Sequence, residues 1–273
     1  MVMKLDGKTA LVTGSTDGVG RVVAQRLAAA GARVLIHGRD ADRGRRAVAD
    51  ISKAGGTAEF LPADIGSLAE VRRLADTVRQ RETRLDILIN NAGIGTAGTS
   101  RQTSADGHEL RFAVNYLAGF LLTRLLLPLI KTSAPARVVN VSSAGQQALD
   151  FDDVMLMRGF SGRRAYCQSK LAQIMFTIDL AQEQAGTSVI VNALHPATYM
   201  DTAMVRRAGV TPMSSVDEGA GAILNLAASP DLAACSSRYF NGLREARADP
   251  QAYDDAARRR LMEIRSELTA AYR

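Results

Sequence analysis

Apolar and polar positions alternate between two rhythms along the chain. Short runs rich in β-branched residues, "TALVT", "RVLIH", "AEFLP", "LDILIN", "RVVNVS" and "SVIVNAL", are apolar on both faces. Between them lie longer stretches with helical spacing of apolar positions, at 19–30, 41–54, 67–83, 107–131, 163–185 and 216–228. Strands apolar on both faces and separated by helices predict a parallel sheet covered on both sides. We therefore expect an α/β fold, a doubly wound parallel sheet built as a single domain over 1–273. A tail from about 236 adds a short strand, "RYF", and a helix near 251–271. Two connections, 144–162 and 196–215, are long for such a fold, and long loops on a rigid sheet tend to carry function.

Composition narrows the functional classes. Hydrophobic residues make up 47% and charged residues 23% of 273, ordinary for one large domain. The most apolar stretch, "GFLLTRLLLPLI", is broken by Arg124 and Pro128, and no apolar leader precedes the first strand. The expectation is a cytoplasmic protein with no membrane partner. Cys167 and Cys235 are too few for a disulfide framework. His37, His108 and His195 lie far apart, so no metal site is expected. The net charge of +6 comes from arginines spread along the chain without aromatic platforms. That pattern argues against nucleic acid and suits an anionic small ligand.

Candidate chemistry begins at the first strand-to-helix junction, "TGSTDGVG". Its glycines, Gly14, Gly18 and Gly20, interleave with Ser15, Thr16, Asp17 and Val19. A turn of this kind offers backbone amides and a helix N-terminus to a pyrophosphate, and side chains at the glycines would block its approach. In "AYCQSK", Tyr166 and Lys170 stand at i and i+4, on one helical face. Taken alone, that pair reads more readily as a half-buried aromatic beneath a lysine stem.

Together with "NNAG" (Asn90 to Gly93), Asn115 and "VNVSS", these motifs follow one another in an order that resembles the short-chain dehydrogenase/reductases, over essentially the whole chain. The resemblance implies a Rossmann fold whose first half, about 1–140, binds cofactor. Its second half, 141–273, would carry catalysis and substrate. It implies hydride transfer between a nicotinamide and the carbonyl or alcohol group of a small molecule. Tyr166 would be the general acid or base, and Lys170, aided by the oxidised nicotinamide, would lower the phenol's pKa and reach the cofactor ribose. Ser143 would hold the substrate oxygen, with Ser142 on the opposite face of the strand. Asn115 would complete the tetrad. Asn91, Ala92 and Gly93 would line the cofactor, Asp64 would contact the adenine amino group, and Ile65 would pack near that ring.

The second strand ends in "HGRD", where relatives that prefer NAD(H) usually carry an acid. Arg39 suits a 2′-phosphate instead, so NADP(H) is expected over NAD(H). Asp17 and Asp40 pull the other way. After the sixth strand the chain reads "HPATYMDT": Ala197 replaces a glycine usual in relatives, and Thr202 lies one position late. Pro196, Thr198 and Thr202 are the expected nicotinamide contacts there. The 22 residues between Ser143 and Tyr166, with "RYFNG" near the C-terminus, most resemble the retinol-dehydrogenase-like branch. Phe151, Met155, Met157, Phe160, Tyr199, Met200 and Met204 either line an apolar pocket or lie as core beneath the loops.

The expected activity is thus NADP(H)-dependent interconversion of a carbonyl and an alcohol on a mid-sized, fairly apolar substrate. The alternative is a non-catalytic NADP(H)-binding regulator or scaffold. The nucleotide-sugar epimerases share Tyr-x-x-x-Lys but differ in the glycine turn. By the same resemblance, the helices near 107–131 and 163–185 would pair with a second copy in a homodimer or homotetramer.

Overall fold

The computed structural model describes residues 4–98 and 100–273. Eight strands form one sheet in the order β3-β2-β1-β4-β5-β6-β7-β8. These are β1 Thr9–Val12, β2 Arg33–Gly38, β3 Thr57–Pro62, β4 Ile87–Asn90, β5 Ala136–Val141, β6 Val189–His195, β7 Tyr239–Asn241 and β8 Arg244–Ala246. All pairings are parallel except that of β7 with β8. The order reverses between β1 and β4, and such a switch point opens a crevice at the carboxyl ends of the strands. Strand β8 had no expected counterpart, because its three residues, Arg-Glu-Ala, carry no apolar pattern.

Helices cover both faces: α1 Gly18–Ala29, α2 Ala41–Lys53, α3 Leu68–Arg81, α4 Ala118–Thr132, α5 Gly162–Glu183, α6 Ala203–Arg207, α7 Val216–Ala228 and α8 Asp255–Leu268. Their starts are written in the sequence as caps: Asp17, Asp40, Ser67, Ser161, Ser215 and Asp254 each accept a backbone N–H of the following turn. The stretch expected as one helix from 107 instead begins as a π-helical segment, Phe112–Leu117, continuous with α4. Phe112–Thr132 is long and apolar enough to cross a membrane by length and composition, but most of it is buried in this fold.

Below the crevice, a polar ladder ties sheet to helices. Asn90 and Asn140 face each other in register on β4 and β5. The Asn90 amide donates to Asn140 Oδ1 at 2.8 Å and to Thr123 Oγ1 at 2.9 Å, and the Asn140 amide donates to Thr177 Oγ1 at 2.8 Å. Buried amide donors satisfied in this way, with Asn90 Oδ1 left unpartnered among the described residues, tie α4 and α5 to one register over the sheet.

The C-terminal helix α8 lies on α5. Arg258 and Arg265, both buried, each reach the Asp179 carboxylate at 2.9 Å. The Arg265 guanidinium also stands over the rings of Phe120 and Phe176, at 5.0 and 5.4 Å from their centroids. The expectation that α4 and α5 meet a second copy thus encounters a chain that covers part of this face with its own tail.

Candidate active site

The glycine turn closes over β1 and β4 through a set of short-range contacts. Gly14 and Gly18 have φ of +64° and +54°, a region that favours glycine. A Cβ on Gly14 would lie 2.8 Å from Ala92 Cα, and one on Gly20 would lie 2.4 Å from both Asn91 Nδ2 and Gly14 O. The turn and the 91–93 segment are therefore packed backbone to backbone. Thr13 clasps them: its hydroxyl accepts the N–H groups of Asn91 and Ala92, each at 3.0 Å. Asn91 Nδ2 in turn donates to Thr13 O and Gly14 O. The result is a bare, amide-lined cradle at the N-terminus of α1, which fits a pyrophosphate.

Within that cradle the expected residues divide. Ser15 is fully buried, with its hydroxyl donating to Val12 O at 2.6 Å and accepting from His37 N and its own N–H donating to His37 O at 2.9 Å, so it braces the turn from beneath. Asp17 caps α1 and is held by Arg43 at 2.9 Å. Val19 is partly buried against the core. Thr16 and Asp17 border a cavity of about 220 Å³ whose other walls are Arg21, Arg43 and Arg46. Arg39 is exposed and is not among the residues lining it; its guanidinium reaches Asp64 at 3.7 Å. Asp64 Oδ1 accepts from Gly66 N in the turn that leads into α3. Ile65 is buried in the core, leaving little of it for an adenine ring.

His37 has a role that the sequence reading missed. Its Nδ1 accepts the Gly14 N–H at 3.1 Å, which requires a neutral ring with the proton on Nε2. Burial pulls its pKa down to about 4. Since the unfolded ring titrates near 6.5, the unfolded chain binds the extra proton between these values, and stability falls as pH drops from about 6.5 to 4. Urea midpoints measured across that window should show a dependence approaching about 1.4 kcal/mol per pH unit from this residue. His37→Asn should flatten it; an unchanged slope would contradict the assignment.

The tetrad gathers at the carboxyl end of β5. Ser142 turns inward, donating to Lys170 O at 2.7 Å. Ser143 faces the other way: its hydroxyl accepts from Gly145 N at 3.0 Å, and a Cβ on Gly145 would meet both Ser143 Oγ, at 3.5 Å, and the Tyr166 ring, at 3.8 Å. Lys170 is buried on α5, its ammonium donating to Val141 O at 2.8 Å and Gln173 Oε1 at 2.9 Å, 5.8 Å from the Tyr166 ring centroid. Asn115, in the π-helical segment, accepts from Ile94 N at 2.8 Å and donates to Ile94 O and to Ser169 Oγ. A Cβ on Gly93 would meet Asn115 Oδ1 at 3.1 Å and Lys170 Nζ at 3.5 Å. Glycine at 93 thus keeps open the space into which Asn115 and Lys170 project.

Electrostatics here depart from expectation. Burial pushes the Tyr166 phenol above its ordinary pKa, with the Ser143 hydrogen bond pulling partly back. The expected lowering by Lys170 is absent because burial draws that ammonium down to about 7 and its donors point at Val141 O and Gln173. In the protein alone the phenol is held as an acid, ready to donate its proton.

The 196–215 connection folds back over the glycine turn. Pro196 is buried and Thr198 exposed, with His195 Nε2 at 3.2 Å from the Thr198 hydroxyl. Thr202 caps the short helix α6, and its Cγ2 would lie 3.6 Å from a Cβ on Gly18. Its late position in the sequence still brings it to the mouth of the cradle. Met204 packs on Gly95, and Met200 packs on Gly219. Tyr199 and Met157 are exposed, whereas Phe151 and Met155 pack against the core, so the apolar set divides between surface and core.

Comparison with known proteins agrees with this geometry. The short chain dehydrogenase family model matches residues 8–211. Human retinol dehydrogenase 13 is 37% identical over 277 residues, covering 94% of this chain and 83% of the relative. Mouse retinol dehydrogenase 14 is 36% identical over 291 residues, covering 95% and 85%. An uncharacterized protein from Mycobacterium paratuberculosis superposes with a TM-score of 0.81 at 30% identity, covering 98% of this chain and 96% of that one. Pseudomonas aeruginosa RhlG, solved as an NADP active-site complex, superposes with a TM-score of 0.73 at 32% identity, covering 88% and 96%. A family of oxidoreductases that bind NAD(P) is thereby identified, and the chain belongs to it: it is a short-chain dehydrogenase with relatives among the retinol dehydrogenases.

Proposed function

We propose that the protein interconverts a carbonyl and an alcohol on a mid-sized, fairly apolar small molecule, using NADP(H) in preference to NAD(H). The observation that carries this reading is the convergence of Ser143, Tyr166 and Lys170 beside the bare Gly93, within reach of the glycine cradle. NADP(H), when bound, supplies or accepts a hydride at its nicotinamide ring. The protein's own part is the proton and the geometry. In the reducing direction, Tyr166 donates from its phenol to the substrate oxygen while the Ser143 hydroxyl bonds that same oxygen as charge develops on it. Lys170, firmly held by Val141 O and Gln173, presents a cation one helical turn from the phenol. Asn115 fixes the Ile94 backbone beside Gly93.

Support for the cofactor preference comes from the arginine-walled cavity at the end of β2. Arg21, Arg43 and Arg46 line it with Thr16 and Asp17, and Arg39 is an exposed guanidinium just past the end of β2. An exposed cluster of guanidinium groups suits a dianionic 2′-phosphate. Asp17 and Asp40 both hold Arg43 in the protein alone, so a phosphate has to compete with them for it. Titration of nicotinamide fluorescence at fixed salt should give tighter binding of NADPH than of NADH by about tenfold or more. Arg39→Ala with Arg43→Ala should remove most of that difference and leave NADH affinity unchanged. Equal affinities in the unaltered protein would contradict the preference.

A further inference from the structure

Arg111 is buried, and no part of the activity described so far uses it. Its Nε donates to Gly95 O at 2.9 Å and its Nη2 to Ala97 O at 2.5 Å. The buried Glu109 lies 3.5 Å from Nη1, and its other oxygen accepts from Phe112 N at 2.7 Å. The Phe160 ring stands 5.7 Å from the guanidinium carbon. A charge taken out of water and given two backbone carbonyls is costly unless those bonds fix something.

What they fix is the segment after Gly93. Asn115, four residues on from Arg111, holds Ile94 by both its N–H and its carbonyl. Arg111 holds the next residues, so side chains one helical turn apart secure 94–97 against the segment that carries Asn115. The same segment receives the start of α5. A Cβ on Gly162 would lie 2.5 Å from Thr96 O, 2.8 Å from Gly98 O and 3.1 Å from Arg111 Nη2. Tyr166 follows Gly162 by one turn on the same helix. Met204, from the connection that closes over the cradle, rests on Gly95. Two walls around the tetrad therefore meet at one guanidinium, 94–98 and the approach to α5 at 160–162, and Met204 rests on the first of them.

Resting on the function proposed above, we propose that Arg111 is a positioning residue that sets the width of the substrate cleft. It fixes the distance between the 94–98 wall and the Tyr166 helix, and so decides which carbonyl substrates reach the phenol. It touches neither substrate nor cofactor. The cofactor cradle is built on other contacts, at Thr13, His37 and Asn91, and is independent of it.

Three variants separate this role from a general one. Arg111→Lys keeps a cation but loses the fork that spans two carbonyls. Arg111→Gln combined with Glu109→Gln removes both buried charges, so no unpaired carboxylate is left to unfold the protein. Gly162→Ala pushes the same two walls apart while leaving both charges in place. With propanal and decanal as probes, each variant should change the ratio of the two KM values by about tenfold or more, with NADPH affinity held within about twofold. A readout independent of turnover accompanies this: amide hydrogen exchange should accelerate together at 94–98 and 160–165 in Arg111→Lys, and stay unchanged at 13–20. If the unaltered protein turns over neither aldehyde, the proposed function fails and the exchange pattern alone decides the role of Arg111. An equal fall in kcat for both aldehydes with an unchanged KM ratio, weakened NADPH binding, or exchange that accelerates at only one wall would each overturn the proposal.

Discussion

Tyr166→Phe should lower kcat by about three orders of magnitude or more while NADPH binds within about twofold of the unaltered affinity. The substitution removes one oxygen and leaves the ring in place beneath the loops. What is lost is the phenol oxygen beside the Ser143 hydroxyl at the end of β5. Ser143 is left to bond a substrate oxygen, but the phenolic proton is gone. Tyr239, whose hydroxyl donates to Ser143 O at 3.1 Å, is no substitute, because burial pushes its pKa up to about 12 and it is spent on the backbone. The measurement is steady-state turnover with separate nucleotide titration. Retained turnover in the variant would remove Tyr166 from the chemistry; lost nucleotide affinity would make it a structural residue.

Lys170→Met should lower activity and change the pH dependence of stability. Turnover should fall by about 10²- to 10³-fold, because the side chain that the helical spacing pairs with the phenol is lost. The ammonium's pKa falls from 10.5 to about 7 on burial, so the folded protein disfavours the charged form by about 5 kcal/mol in its fully protonated state. The unfolded chain binds the proton more tightly between these values, so the cost is full below about pH 7 and shrinks as pH rises toward 10.5. Met fills a similar volume but leaves Val141 O and Gln173 each without a donor, a loss of about 1–3 kcal/mol apiece. That loss does not change with pH, whereas the charge penalty does, so the stability of Lys170→Met relative to the unaltered protein should rise by about 4 kcal/mol between pH 10 and pH 6. Urea unfolding of both proteins at these two pH values checks the difference. A relative stability that is the same at both pH values would show that Lys170 is not a buried charge held at a cost for function.

Most of the fold was legible because its signals are local. Alternating apolar runs and helical faces, punctuated by Asp and Ser caps, specify each element without knowledge of its neighbours. The glycine turn and the Tyr166 to Lys170 spacing were legible for a similar reason, since their geometry lies within one junction or one helical turn. What the sequence hid is chemistry that joins distant segments. His37 contacts Gly14 across two strands, and a lone histidine in an apolar run carries no sign of it. Arg43 and Arg46 join Arg21 only once α2 packs beside α1, although their spacing after Arg39 was a clue to the basic cluster. Arg111 is indistinguishable in sequence from any surface arginine on an amphipathic helix. The upward Tyr166 shift in the protein without its cofactor was hidden for a related reason: spacing shows that Lys170 is near, but not that it is buried and directed at Val141.

The central claim is hydride transfer assisted by Tyr166, and isotopic labelling tests it most directly. NADPH carrying deuterium on the transferred face of its nicotinamide would be incubated with an apolar aldehyde and the purified protein, and the product alcohol examined by mass spectrometry. The account predicts one deuterium on the carbinol carbon for each NADPH consumed, and no labelled alcohol with Tyr166→Phe. Oxidation of NADPH without label in the alcohol, or label appearing equally with Tyr166→Phe, would contradict it.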